Sequence, residues 1–145
     1  MSSSKEAINR LMNEYCYCID QGNLEGFAGL FEQGSFGVMG DPGGPCVGKE
    51  AVLEFLQNVI LYDGKPQTKH VMSNVQIDVD EAAGEASAQS YIIVFQALEN
   101  FPMQAIFGGH YHDRFTRSAN GWAFASRDVS PDLLGDLSLH RSDMA

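Results

Sequence analysis

The chain has 145 residues, with Lys+Arg 9 against Asp+Glu 19, a formal net charge of -10 and a hydrophobic content of 44%. Folding at this length buries roughly 68–70% of the surface of the unfolded chain, enough for one domain with one sizeable core or pocket. The acidic balance excludes phosphate backbones and anionic lipid headgroups as partners, and the longest apolar run, Tyr91-Ile92-Ile93-Val94-Phe95, is far short of a membrane span.

Ser3-x-x-Glu6 has capping-box spacing, and Ile8, Leu11, Met12, Tyr15 and Ile19 recur every 3.6 residues, which predicts an amphipathic helix over residues 5–20 ended by Gly22. Asp20 falls at the edge of its apolar stripe, where an acid reaches a pocket rim without entering the core. Asn23 is placed to cap a second, short helix carrying Leu24, Phe27, Leu30 and Phe31 and stopping at Gly34. Ser35 to Met39 predicts a short strand, and Gly40-Asp41-Pro42-Gly43-Gly44-Pro45 a loop that is a candidate lid. A third helix presents Val52, Phe55, Leu56, Val59 and Ile60 on one face before Asp63-Gly64-Lys65-Pro66 turns the chain out of it.

From Thr68 the pattern changes to four long strands, 68–80, 85–99, 102–117 and 121–130, separated by short turns. Helices first and a strand meander afterwards is an α+β pattern, with the helices on one face of a mostly antiparallel sheet. Strands this long twist strongly, so the sheet is expected to curl into a cone-shaped α+β barrel around a cavity. No repeat or linker divides the chain, and residues 1–145 are read as a single domain. Cys16, Cys18 and Cys46 are odd in number and lack C-x2-C spacing, so they read as small core residues in a reducing compartment. With no secretory h-region after Met1, a cytoplasmic protein is expected.

Alternation along residues 70–80 puts Val71, Val75, Ile77 and Val79 on one face and His70, Met72, Asn74, Gln76, Asp78 and Asp80 on the other. Periodicity therefore leaves His70 either in a polar pocket at the strand start or facing solvent, unless a β-bulge resets the parity. His110 and His112 share a strand face, but Asp113-Arg114-Phe115-Thr116-Arg117 after them lacks the glutamate of a cupin-type site, so neither metal nor cofactor is expected. His140, in a polar tail, carries no signal, and Arg114, Arg117 and Arg127 read as a solvated sheet face. Tyr15, Tyr17, Tyr91 and Tyr111 read as core or rim aromatics, any of which would donate to a developing oxyanion if it faced the pocket. There is no G-x-S-x-G nucleophile motif and no phosphate-binding glycine loop.

Several segments together carry a family likeness over nearly the whole chain. They are Tyr15-Cys16-Tyr17-Cys18-Ile19-Asp20-Gln21-Gly22-Asn23, Gly48-Lys49-Glu50-Ala51, His70-Val71-Met72-Ser73-Asn74, Gly109-His110-Tyr111-His112-Asp113-Arg114-Phe115 and Gly121-Trp122-Ala123-Phe124-Ala125-Ser126-Arg127. In this order they resemble the SnoaL-like domains of the nuclear transport factor 2-like superfamily, in the branch of scytalone dehydratase and hexachlorocyclohexane dehydrochlorinase. The resemblance implies that Asp20 and His70 form a proton-abstracting dyad and that His110 is similar to the second histidine of the dehydratase; in the expected mechanism His110, Tyr17 or Tyr111 protonates the leaving group or stabilises developing negative charge. Ile19 stands where scytalone dehydratase has a tyrosine before its aspartate, so that enzyme's substrate does not carry over. The implied function is a cofactor-independent lyase or isomerase acting on a small hydrophobic cyclic or aromatic molecule. The alternative is a noncatalytic small-molecule-binding or assembly domain of the same fold. A homodimer through the outer sheet face is implied, and the tail, with Leu133, Leu134, Leu137 and Leu139, is left to cap the pocket, dock on a neighbour or stay mobile.

Overall fold

The computed structural model describes residues 3–144, and among these the chain forms three α-helices and six strands. Helix α1 (Ser4–Asp20) starts where the Ser3 hydroxyl accepts the Glu6 backbone N–H, and it buries Ile8, Met12, Tyr15, Cys16, Cys18 and Ile19 against the sheet. The Asn23 side chain caps α2 (Leu24–Gly29) by accepting the Gly26 N–H. Helix α3 (Lys49–Phe55) tightens into a 3-10 turn at Leu56–Asn58. The predicted continuation to Ile60 fails because Val59 and Ile60 pair instead with the C-terminal segment: Ile60 N–H donates to the His140 carbonyl, and Val59 bridges to Arg141.

Strands β1 (Ser35–Val38), β2 (Cys46–Val47), β3 (Thr68–Asp80), β4 (Glu85–Leu98), β5 (Phe101–Ser118) and β6 (Gly121–Leu134) form one sheet in the order β2-β1-β6-β5-β4-β3. All neighbours are antiparallel except β1 and β6, which run parallel. The fold is thus α+β as expected, but the mixed sheet has β2 and β3 as free edges and does not close on itself. The helices pack on one face of it, and the core between them is rich in aromatic rings: Tyr15, Phe27, Phe31, Phe36, Phe115 and Phe124 tilt against one another.

Two backbone features position the site. The register of β3 against β4 shifts between Ser73 and Gln76, where Asn74 adopts φ 55, so β3 carries a bulge. His70 and Met72 therefore point inward before the bulge and Ile77 and Val79 after it, while Val71 and Val75 are exposed. The single alternating face expected for Val71, Val75, Ile77 and Val79 is split by that extra residue. At the end of α1, Gly22 has φ +75 and passes so close to the Gly64 carbonyl oxygen that a Cβ would collide with it. This contact seats the end of α1 beside the entry to β3. Gly22→Ala combines a left-handed backbone, which costs an L-residue roughly 1–2 kcal/mol, with that collision. A stability loss of at least about 1 kcal/mol is expected, read from the midpoint of urea unfolding.

The C-terminal segment is docked. Its Leu137 and Leu139 pack on the core, and the Leu139 carbonyl accepts from the Tyr62 hydroxyl and the Gln96 amide.

Candidate active site

Asp20 is the last residue of α1 and Thr68 the first of β3, and the two elements meet there. Its Oδ1 accepts from the Thr68 hydroxyl at 2.8 Å and lies 2.6 Å from His70 Nδ1, while its Oδ2 accepts the His70 backbone N–H at 2.8 Å. The side chains of His70 and Asp20 are 8% and 12% exposed. Burial by itself would raise the Asp20 carboxyl. The bonds from the His70 ring and backbone, the pull of that ring whenever it is protonated, and the Thr68 hydroxyl outweigh it and hold the carboxyl below its ordinary value. An ionised acceptor at Nδ1 puts the proton on that nitrogen and leaves Nε2 of the neutral ring with a free lone pair.

His70 opens onto a cavity of about 650 Å³. The walls are mainly apolar, including Ile19, Phe27, Phe36, Phe55, Val94, Phe107 and Val129, and the polar groups set among them include Tyr15, Tyr111, His70 and His140. Met39, Gly40, Asp41 and Pro42 from the glycine- and proline-rich loop also line it, as do Arg141 and Asp143 of the C-terminal segment. A volume of this size with a few convergent polar groups suits a small organic ligand.

Of the sequence-predicted site residues, His70 and Tyr111 line this cavity and Asp20 is bonded to His70, whereas Tyr17 and His110 lie away from it. Tyr17 is 63% exposed because it lies two residues, about 200° on the helix wheel, from the inward Tyr15. On β5 the residues Gly109, Tyr111, Asp113 and Phe115 are buried, which turns His110 and His112 to the opposite face of the sheet. There His110 Nδ1 lies 2.7 Å from Asp132 Oδ2, and the His110 and His112 rings meet edge-on at 5.0 Å. Among the described residues no group of three or more His, Cys, Asp or Glu converges to hold a metal ion.

Arg127 also departs from its reading as a surface residue. It is 0% exposed, paired through Nε and Nη2 with the two Asp113 oxygens at 2.7 and 2.8 Å. Its guanidinium lies 3.8 Å from the Tyr111 ring centroid and 4.4 Å from that of Tyr15. The two tyrosines that line the cavity therefore rest on a buried cation. Burial pushes the Tyr15 phenol up to about 12, and Tyr111 well above 10, so both hydroxyls keep their protons. Tyr15 was legible only as one of several aromatics on an apolar stripe.

His140 is the residue that sequence reasoning missed. It is 8% exposed, and its ring lies 6.2 Å from that of His70. Burial, together with the His70 ring and the Arg141 guanidinium, pushes its imidazole from 6.5 down to about 4, against a smaller opposing pull from Asp20. Asp143 is tied to Arg141. Its own short sequence context, Ser138-Leu139-His140-Arg141, has no periodicity long enough to reveal burial. The lowered value has a measurable consequence. Between about pH 6.5 and 4 the unfolded chain binds a proton on His140 that the folded chain refuses, so stability is lost as the pH drops through that window, by on the order of 3 kcal/mol. His140→Gln is expected to flatten that slope in urea unfolding series at pH 7 and pH 5.

The profile of the SnoaL-like domain family matches residues 1–128. No curated protein matches the sequence significantly. Among solved structures, the chain is similar to a provisionally named scytalone dehydratase of Novosphingobium aromaticivorans, at 25% identity and a TM-score of 0.70, covering 89% of this chain and 84% of that one. A Mycobacterium tuberculosis protein of unknown function aligns at 26% identity and a TM-score of 0.71, covering 88% of this chain and 70% of that one. An NTF2-like protein with a cystatin-like fold from Novosphingobium aromaticivorans, at 19% identity, a TM-score of 0.74 and coverage of 88% and 81%, shares the fold.

Proposed function

The chain belongs to the SnoaL-like domain family, and from that premise we propose that it is a cofactor-independent lyase or isomerase for a small hydrophobic cyclic or aromatic substrate. The observation that carries this reading is the Asp20 carboxylate bonded to Nδ1 of a histidine that lines an apolar cavity. In the proposed reaction His70 Nε2 takes a proton from a substrate carbon, and Asp20 stabilises the imidazolium that results. The electron pair of the broken C–H bond becomes a new double bond. In an elimination a hydroxyl or halide leaves with its bonding pair, and the proton on His70 passes to that group or to solvent. In an isomerisation the proton returns to a different carbon. The Tyr111 hydroxyl, held protonated by burial, donates to whichever oxygen gains negative charge.

Two features support this chemistry over simple ligand storage. A histidine whose other nitrogen is held by a carboxylate is oriented for proton transfer. A relative at 25% identity bears the provisional name of a dehydratase. The test is NMR in D2O with a panel of cyclic ketones, hydroxylated rings and halogenated rings. Deuterium uptake at a C–H position, or release of water or halide, is the expected result. If panel members bind the cavity yet none exchanges or eliminates, the protein is a noncatalytic small-molecule-binding or assembly domain instead.

The same reading includes a homodimer through the outer sheet face. Val71, Ile93, Gly108 and Leu133 lie in register across four strands, and Val71, Ile93 and Leu133 are exposed there. Sedimentation analysis is expected to give twice the chain mass, and Ile93→Lys to give the monomer.

A further inference from the structure

His140 has no place in the dyad, yet its chemistry is hard to reconcile with a packing role. Its Nδ1 is buried without a hydrogen-bond partner among the described residues. Buried polar atoms are nearly always bonded, and the ring that carries this orphan lines the cavity, where its other nitrogen, Nε2, also has no hydrogen-bond partner among the described residues and is the atom open to a ligand. The backbone that carries the ring is held in place. The His140 N–H donates to the Leu137 carbonyl and its own carbonyl accepts from Ile60 N–H, while the preceding Leu139 carbonyl is held by Tyr62 and Gln96. Every acid near it is already committed, Asp20 to His70 and Asp143 to Arg141.

We propose that His140 is the substrate-orienting residue of the cavity, an imidazole beside His70 that hydrogen-bonds a hydroxyl or carbonyl oxygen carried by an otherwise apolar ring. This inference rests on the cavity being the ligand site of the proposed reaction, and it narrows the substrate class from any hydrophobic ring to an oxygenated one. The depressed basicity of His140 agrees with this role, because an imidazole that stays uncharged beside a protonated His70 offers a hydrogen bond without competing for the abstracted proton. Apolar walls elsewhere accept the hydrocarbon part of such a molecule in either orientation, so a polar anchor beside the base is what selects which carbon it meets.

Matched probes test this without turnover. In calorimetric titrations at pH 7 the wild-type protein is expected to bind 2-naphthol about tenfold or more tightly than 2-methylnaphthalene, since a site built to bond an oxygen discriminates strongly against its absence. His140→Phe is expected to bring the two affinities within about twofold of each other by weakening 2-naphthol alone, and His140→Gln, which still bonds, to restore part of the preference. Equal affinities in the wild type, or an undiminished preference in His140→Phe, overturns the proposal. Should the Phe variant not fold, nitrogen NMR of the wild-type histidines decides: 2-naphthol is expected to shift the His140 ring nitrogens, and an unmoved signal at saturation counts against the proposal. Because only binding is read, a protein that discriminates between the probes but never exchanges a proton refutes the lyase or isomerase reading and leaves the role of His140 standing.

Discussion

His70→Ala is expected to lower kcat on any substrate the protein turns over by ~10²- to 10⁴-fold, with a smaller change in KM. The substitution removes the proton acceptor but not the backbone N–H at that position, which still donates to Asp20 Oδ2, and the Thr68 hydroxyl still donates to Oδ1. The carboxylate stays bonded, so the fold is expected to survive and the loss to be one of chemistry. Asp20→Asn probes the other half of the pair. An amide there can turn its NH2 towards Nδ1, which moves the imidazole proton to Nε2 and abolishes the lone pair that faces the substrate. In a serine-protease triad the same carboxylate-to-amide change costs about 10⁴-fold in kcat through the wrong tautomer. A comparable loss is expected here, and the double variant is expected to be little worse than either single one, because the two side chains act as one unit. Steady-state kinetics on purified variants, with circular dichroism to verify folding, measures both. Full activity in both single variants sinks the dyad.

The second large effect concerns stability. Asp113→Ala is expected to destabilise the fold by ~3–5 kcal/mol, because it strands the Arg127 guanidinium, 0% exposed and already lacking a partner at Nη1 among the described residues, in the core. At roughly 2–4 °C of melting temperature per kcal/mol for a domain near this size, the transition should fall by about 6–20 °C. Contacts with the Tyr15, Tyr111 and Phe124 rings offset only part of that burden. The paired change Asp113→Leu with Arg127→Met removes both charges, and it is expected to recover most of the loss, since an apolar pair of similar volume is often as stable as a buried ion pair. Calorimetric melting of the three proteins tests this. A single variant that melts within about 2 °C of the wild type means that the ion pair contributes little. Because Arg127 underlies both cavity tyrosines, the paired variant also shows whether the cation matters to the site, through any change in ligand affinity that accompanies its restored stability.

Local pattern accounted for much of the architecture. The Ser3 cap, the 3.6-residue stripe from Ile8 to Ile19, the Asn23 cap and the four long strands all appear close to where spacing puts them, because each is decided by interactions within a few residues or by one face being apolar. Tyr17 and His110 show the limit of reading by resemblance: neighbours of true inward positions carry suitable chemistry, and a single step along a helix or strand moves the side chain to another face. The bulge at Asn74 shows the same sensitivity in reverse, since one extra residue lets Met72 before it and Ile77 and Val79 after it all pack on the core.

The order of elements, the α+β class and the candidacy of Asp20 and His70 were therefore determined by the sequence, through periodicity, capping and family likeness. The tertiary structure alone decided that the sheet stays open, that Arg127 and Asp113 pair in the core, and that His140 is buried 6.2 Å from His70. The physical reason is common to all three. Each depends on contacts between residues far apart in the chain, such as Leu139 with Tyr62 and Gln96, and the cost and reward of such contacts leave no period in the local sequence.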